Sequence, residues 1–230
     1  MNLVHLACNK ILYYICYMFL LHLLADNIFW QILSVLKKWD TWLFLKINTE
    51  WTNPFLDSVF PWWRDQNTWI PLYIFLSLLV FMNFGWKAWK WLACVFLTLL
   101  LTELVSSHIL KNWVARPRPC NDDVLKYYVR ALLGWCSNSG SFTSSHATNH
   151  FGVGTFFFLT LRPYLKNWSY LFFVWAATIC YGQVYVGVHY PGDIICGAIL
   201  GCLTGWGIAN MFEKNIGMPP LLEWSALVSK

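Results

Sequence analysis

The chain has 230 residues and a net charge of +5, yet only 12% of it is charged and 58% is hydrophobic. A soluble domain carries roughly 25% charged residues. The charges fall mostly between long uncharged stretches, which is not the basic stripe of a nucleic-acid-binding face, so no nucleic-acid partner is expected. Trp, Tyr and Phe make up 19% of the chain and gather near the ends of those stretches. That is the distribution of an aromatic belt, so the expected surroundings are membrane lipids.

In chain order, residues 11–24 (ILYYICYMFLLHLL) come first. They follow Lys10 and resemble a signal-peptide core, but Ala25-Asp26-Asn27 is a poor cleavage site. A retained helix, or an anchor lying in the interface, is the expectation. Residues 28–47 mix bulky apolar groups with Lys37, Lys38, Asp40 and Lys46, the pattern of an amphipathic helix on the membrane surface. Residues 68–84 carry no charge, and 89–110 are interrupted only by Glu103. With 147–161, 168–188 and 194–212 they make five spanning candidates near the length a bilayer requires. The fold class is therefore all-α: a polytopic bundle of five spanning helices, six with the N-terminal segment. The expected division is an N-terminal part at 1–67, a helical core at 68–212 and a short tail at 213–230.

Sidedness follows from the connections. Lys87, Lys90, Arg162, Lys166 and Lys214 share one face, with Glu213 the only acid there. The other face holds 25–67, where five acids meet four Lys and Arg, together with the 111–146 loop and the 189–193 turn. The positive-inside rule puts the first face in the cytoplasm. Of the eight cysteines, Cys8, Cys16, Cys94, Cys180, Cys196 and Cys202 lie in apolar stretches, where a thiol is a small hydrophobe. Cys120 and Cys136 share the polar outer loop, and an oxidising compartment permits a disulfide between them.

Three polar clusters sit on that outer face, each at a helix end. They are Lys111-Asn-Trp-Val-Ala-Arg116-Pro-Arg118-Pro119, Ser141-Phe-Thr143-Ser144-Ser145-His146 and Val188-His189-Tyr190-Pro191-Gly192-Asp193. Guanidinium offers a planar fork to phosphate oxygens, and ammonium a compact charge. Backbone amides at Ser144–His146, before a helix start, suit an anion. His189 can attack phosphorus, Asp193 can hold its other ring nitrogen, and His146 can protonate the leaving oxygen and later activate water. Each group also has a plainer role. Lys111 and the arginines can anchor a helix end at the interface, and Asp193 can cap a helix after Pro191-Gly192. His150, one turn after His146, makes a zinc-like His-x3-His with no third ligand in view. Glu103 lies two turns before Lys111 and is expected to pair with a basic or hydroxyl group near the site.

The clusters resemble the three signatures of the type-2 phosphatidic acid phosphatase superfamily of lipid phosphatases. Its first signature, Lys-x6-Arg-Pro, is matched by Lys111 to Arg118-Pro119. The second, Pro-Ser-Gly-His, reads Thr143-Ser144-Ser145-His146. The third, Ser-Arg-x5-His-x3-Asp, reads Gly182-Gln183-x5-His189-x3-Asp193, without the arginine. The resemblance covers about residues 68–212. It implies phosphate binding by Lys111, Arg118, Ser144 and the Ser145 amide, with His146 as acid/base, His189 as nucleophile and Asp193 as its orienter. It implies no metal or other cofactor. The expected activity is phosphate release from a lipid monoester or diphosphate: undecaprenyl diphosphate, lipid A, phosphatidate or phosphatidylglycerophosphate. The expected place is a bacterial inner membrane, with the site facing the periplasm. Lipid-to-lipid phosphotransfer uses the same residues, and a weakened lipid-phosphate binding or transport protein is favoured only by the missing arginine. Gln183 can donate a hydrogen bond to a phosphate oxygen but brings no charge, and Arg116, two residues before Arg118, is the expected compensating cation.

Overall fold

The computed structural model describes residues 27–217, so the apolar stretch 11–24 and the tail from 218 lie outside the described residues. The described chain is mainly helical, with no strand among the described residues, and residues 128–144 form an irregular loop before α6. Residues 27–45 form helix α1. The chain divides into two compact units, Met1–Trp42 and Leu43–Lys230. In the first, Lys37 and Lys38 share α1 with the exposed Ile28, Phe29, Trp30, Leu36 and Trp39.

The second unit begins at Leu43, and within it Phe44, Ile47 and Phe60 are buried against Val184, Tyr185, Val186 and Tyr190. Its helices are α2 (Pro54–Trp63), α3 (Ile70–Phe84), α4 (Trp89–Glu103), α5 (Lys111–Val114), α6 (Ser145–Leu165), α7 (Leu171–Tyr185) and α8 (Pro191–Asn215). All five stretches expected to be spanning helices are helical. A π-helical segment, Leu104–Leu110, joins α4 to α5 and carries the helix on to Lys111. Gln66–Phe84, Trp89–Tyr127 and Pro191–Asn215 are long and apolar enough to cross a membrane. The other two described stretches fall short of that apolarity: α7 carries Tyr181, Gly182 and Gln183 near its end, and α6 carries Thr148, Asn149, His150, Thr155 and Thr160. Outward-facing Ile74, Phe75, Met82, Phe96, Leu100, Ile199 and Leu203 on α3, α4 and α8 are exposed, as expected where lipid rather than water is the neighbour.

Helix α6 is the centre of the bundle, with α4, α7 and α8 around it. Trp91 stacks on Phe157 at 5.1 Å, and its indole N–H donates to Thr160 Oγ1 at 2.9 Å, so the buried polar tip of a large ring is satisfied. Buried Thr98 and Thr102 return their hydroxyls to the carbonyls of Cys94 and Thr98 one turn back. Helix α8 approaches α6 through Gly197, Gly201 and Gly205, one per turn. A Cβ at Gly201 would lie 2.3 Å from the Thr148 carbonyl oxygen, and one at Gly205 2.2 Å from that of Gly152. This is small-residue packing, which lets two backbones meet where lipid supplies no hydrophobic drive.

Helix α2 lies against α7. Phe60 packs on Tyr181 and Tyr185 at 5.5 and 4.9 Å, and Trp63 Nε1 donates to Thr178 Oγ1 at 3.0 Å. Tyr185 Oη and Arg130 Nη2 both donate to Asp57 Oδ1 at 2.6 Å. Buried Asn48 donates to the Tyr185 and Arg130 carbonyls and accepts from the Arg130 amide. The segment before α3 is therefore a fixed wall of the core.

Gly201→Ala should force α6 and α8 apart and lower stability by about 1–3 kcal/mol or more. Gly207, with nothing within 4 Å of its built Cβ, should tolerate alanine. Thermal unfolding of the two variants in detergent checks the pair; equal melting would contradict backbone contact between these helices.

Candidate active site

The C-terminal end of the α4–α5 rod, the start of α6, the end of α7 and the start of α8 meet at one end of the bundle, and each brings part of a sequence cluster. A cavity of about 210 Å³ opens there, lined among others by Lys111, Arg118, Ser145, His146, Gln183 and His189. Residues far apart in sequence and expected to share one mouth do share it.

His189 sits in the turn between α7 and α8 and is almost fully buried. Its Nε2 lies 3.4 Å from Arg118 Nη1. Its Nδ1 lies 3.7 Å from Asp193 Oδ2, an ion-pair distance too long for a hydrogen bond. Among the described residues Nδ1 has no hydrogen-bond partner. Burial pushes the imidazole pKa down to about 4; Asp193 works against that shift, and Arg118 adds to it. The ring is therefore neutral near pH 7, the state a nitrogen nucleophile requires.

Asp193 is fully buried and held from several sides. Oδ2 accepts from the Ser141 hydroxyl and from the Tyr190 amide at 3.0 Å, and Oδ1 accepts from Arg116 Nη1 at 2.8 Å. Asp193 is thus both the N3 member of the α8 capping box and the carboxylate beside the histidine. Arg116 also lies over the Tyr190 ring at 3.7 Å.

Arg116, the expected compensating cation, pairs with Asp193 and lines not the cavity that holds the histidines but an adjoining one of about 670 Å³ that shares Ser107, Lys111 and Arg118 with it. Withdrawing Arg116 would leave a buried carboxylate short of its partner, a loss of up to about 3–5 kcal/mol. Ser144 stands at the N-cap of α6. Its side chain caps α6 by accepting from the Ala147 amide at 3.4 Å, its own amide donates to the Asp193 carbonyl at 3.2 Å, and it does not line the cavity. Ser145 does line it, with Oγ 2.7 Å from Ser107 Oγ. Gln183 lines it too, with its amide nitrogen directed at the Arg64 carbonyl at 3.5 Å, the outer limit of hydrogen-bond reach.

Arg118 donates from Nε to the Ser139 carbonyl at 3.0 Å, from Nη2 to Ser139 Oγ at 3.0 Å and from Nη1 to the Val188 carbonyl at 3.3 Å. The loop that carries Ser139 is closed by the Ser141 amide on the Arg116 carbonyl at 2.7 Å and by the expected Cys120–Cys136 disulfide. Glu103 accepts from Ser107 Oγ and from Asn149 Nδ2, the latter at 2.7 Å, so it engages a hydroxyl beside the site as its position in α4 suggested. Ser107, Asn149 and Arg64 line the cavity without having been singled out in the sequence. A signal for Ser107 existed: it stands one turn after Glu103 and one turn before Lys111.

A histidine beside a carboxylate, a second histidine, and lysine and arginine around one cavity in a membrane helix bundle define a phosphate-ester enzyme of the membrane. The PAP2 superfamily model matches residues 91–217. A lipid A 4'-phosphatase of Bacteroides thetaiotaomicron is 32% identical over 157 residues, covering 67% of this chain and 68% of that protein. One of Porphyromonas gingivalis is 31% identical over 173 residues, covering 74% and 71%. The crystal structure of a transmembrane PAP2-type phosphatidylglycerolphosphate phosphatase from Bacillus subtilis superposes with a TM-score of 0.60 at 23% identity, over 79% of this chain and 88% of that one. The chain belongs to the PAP2 superfamily, as a membrane lipid phosphatase.

His189 has a depressed folded pKa, so its contribution to stability is complete above the unfolded value of about 6.5 and is lost as pH falls through about 4. In an NMR titration of the ¹³C-histidine-labelled protein without substrate, the His189 signal should move with a midpoint near pH 4. Arg118→Ala should raise that midpoint, because it removes a neighbouring cation. A midpoint near 6.5 in the parent protein would contradict the buried neutral ring.

Proposed function

We propose that the protein releases inorganic phosphate from a lipid phosphate through a phosphohistidine on His189. One observation carries this reading: His189 and His146 line the same small cavity as Lys111 and Arg118. His189 Nε2 attacks phosphorus, the bond from phosphorus to the lipid oxygen breaks, and His146 gives that oxygen its proton. A water then passes a proton to His146 as its oxygen bonds to phosphorus. The P–N bond breaks, and neutral His189 is restored. The substrate's phosphate brings the negative charge that favours a protonated His146. Lys111 and Arg118 oppose the charge on the equatorial oxygens, which is where positioning and electrostatics supply catalysis of phosphoryl transfer. Asp193, fixed by Arg116, Ser141 and the Tyr190 amide, keeps the proton on His189 Nδ1 and leaves Nε2 free to attack.

Two relatives at 31–32% identity are lipid A 4'-phosphatases. That favours a phosphate monoester on a lipid A-type glycolipid over undecaprenyl diphosphate, phosphatidate and phosphatidylglycerophosphate. Phosphate release from those four lipids tests the reading. His189→Ala should reduce release to background, and His146→Ala should slow it by about 10²–10⁴-fold. Full activity in purified His189→Ala would end this mechanism.

The proposed setting is a bacterial inner membrane with the cavity toward the periplasm: α3, α4 and α8 cross it as apolar helices, and α6, packed among α4, α7 and α8, crosses with α7 inside the bundle they form. Arg162, Lys166 and Lys214 lie at the opposite end of the bundle from the cavity, which supports this orientation by the positive-inside rule. Cysteines introduced at Asp123, whose side chain is fully exposed, and at Lys166 should react with an impermeant thiol reagent from opposite sides of the membrane. Reaction of both from one side would reject the orientation.

A further inference from the structure

The third signature of the family carries Ser-Arg six residues before the histidine, where this chain has Gly182-Gln183. Both positions face one residue, Arg64, the residue immediately after α2. A Cβ on Gly182 would meet Phe60 Cδ1 at 3.0 Å and Arg64 Cβ at 3.4 Å, so the glycine leaves room for this end of α2 to approach α7. Gln183 is fully buried and directs its amide nitrogen at the Arg64 carbonyl. The Arg64 side chain lines the cavity together with Lys111, Arg118, His146 and His189. Its Nε is buried, with no hydrogen-bond partner among the described residues. Asp65, the adjacent acid, turns its carboxylate to the Asn67 amide instead.

Charge gives that guanidinium a purpose. Arg64, Lys111 and Arg118 line the cavity against a single carboxylate, Glu103. Two positive charges are left over, which is what a phosphate monoester dianion would neutralise. Burial pulls the Arg64 pKa below the usual guanidinium value; Asp65 opposes this, and nearby Arg118 adds to it. Two mutually repelling, partly buried guanidiniums are costly unless an anion joins them.

We propose that Arg64 is the phosphate-binding cation that replaces the arginine missing at position 183, delivered from the N-terminal side of the core rather than from α7. Arg64 binds equatorial phosphate oxygens beside Arg118, and Gly182 and Gln183 are its seat. This assignment rests on the phosphatase reading for its catalytic consequence but not for anion binding. The anchoring of α2 through Asp57, Phe60 and Trp63 holds the guanidinium in place before substrate arrives, as preorganised catalysis requires.

The test uses the full chain in detergent, with phosphate release from the lipid panel and thermal stabilisation by inorganic phosphate as separate readouts. Arg64→Ala should lower kcat/KM by about 10²–10³-fold, abolish most of the stabilisation by phosphate, and leave melting without phosphate unchanged or raised, since it removes a charge repelled by Arg118. Arg64→Lys should retain part of both, since it keeps the charge but loses the fork. Adding Gln183→Arg to Arg64→Ala should recover at least tenfold of the lost activity, because the new side chain enters the space the first has vacated. Parent-like turnover and stabilisation in Arg64→Ala would overturn the assignment. So would a loss that comes with lower melting and is not relieved by Gln183→Arg, for then Arg64 only packs. If the parent protein releases no phosphate from any of the lipids, the phosphatase reading fails, and phosphate stabilisation still decides whether Arg64 binds the anion.

Discussion

The contact between α6 and α8 at their glycines sets the geometry of the site. His146 stands on the first turn of α6, and His189 and Asp193 flank the first turn of α8. The two starts are tied by the Ser144 amide on the Asp193 carbonyl at 3.2 Å, and Gly197, Gly201 and Gly205 then let the backbones run in contact over about two turns. A side chain at any of these positions would move one histidine relative to the other. Displacements of about 1 Å are enough to cost a catalyst dearly, so the precision needed at the cavity is supplied by packing in the middle of the bundle.

Asp193 is the second fixed point. A fully buried carboxylate is expensive unless its lone pairs are occupied, and here Arg116, Ser141 and the Tyr190 amide occupy them. Those three partners come from the first, second and third sequence clusters, so satisfying one carboxylate draws the clusters together. It also explains the division of labour between two arginines in Arg116-Pro-Arg118-Pro. Arg116 turns to Asp193 and the Tyr190 face, while Arg118 turns to Ser139, Val188 and His189. Each proline restricts the residue before it to extended backbone, which helps send alternate side chains to opposite sides.

Uncharged runs bounded by Trp and Lys made the helices of the core legible, because length and apolarity are additive properties of a segment. Lys111, Arg118, His146 and His189 were legible through fixed spacing at helix ends. The burial of Phe44, Ile47 and Phe60 was not, since these residues reveal themselves only by packing on Tyr185 and Tyr190. Nor were the tasks of Ser144 and Arg116. A serine before a helix is equally suited to a cap and to an anion, and the partner of Arg116 is 77 residues away. Glu103 was noticeable as an acid within an apolar helix, but its bonds to Ser107 and Asn149 depend on how α4 and α6 are rotated.

Arg64 was hidden for a different reason. It lies in a segment whose charges look like those of any membrane surface, and no spacing connects it to the three clusters. The only trace in the sequence is a deficit, the missing positive charge at Gln183, and a deficit names no donor. The fold supplies the donor because α2 folds onto the same face of α7 that Gly182 leaves bare. A serine at 182 would carry its Cβ to 3.0 Å from the Phe60 ring, and a long cation at 183 would compete with Arg64 for the same side of the cavity and add to its repulsion with Arg118. A small residue and a short neutral amide remove both conflicts, so the two departures from the family signature act together to move a charge from one helix to another.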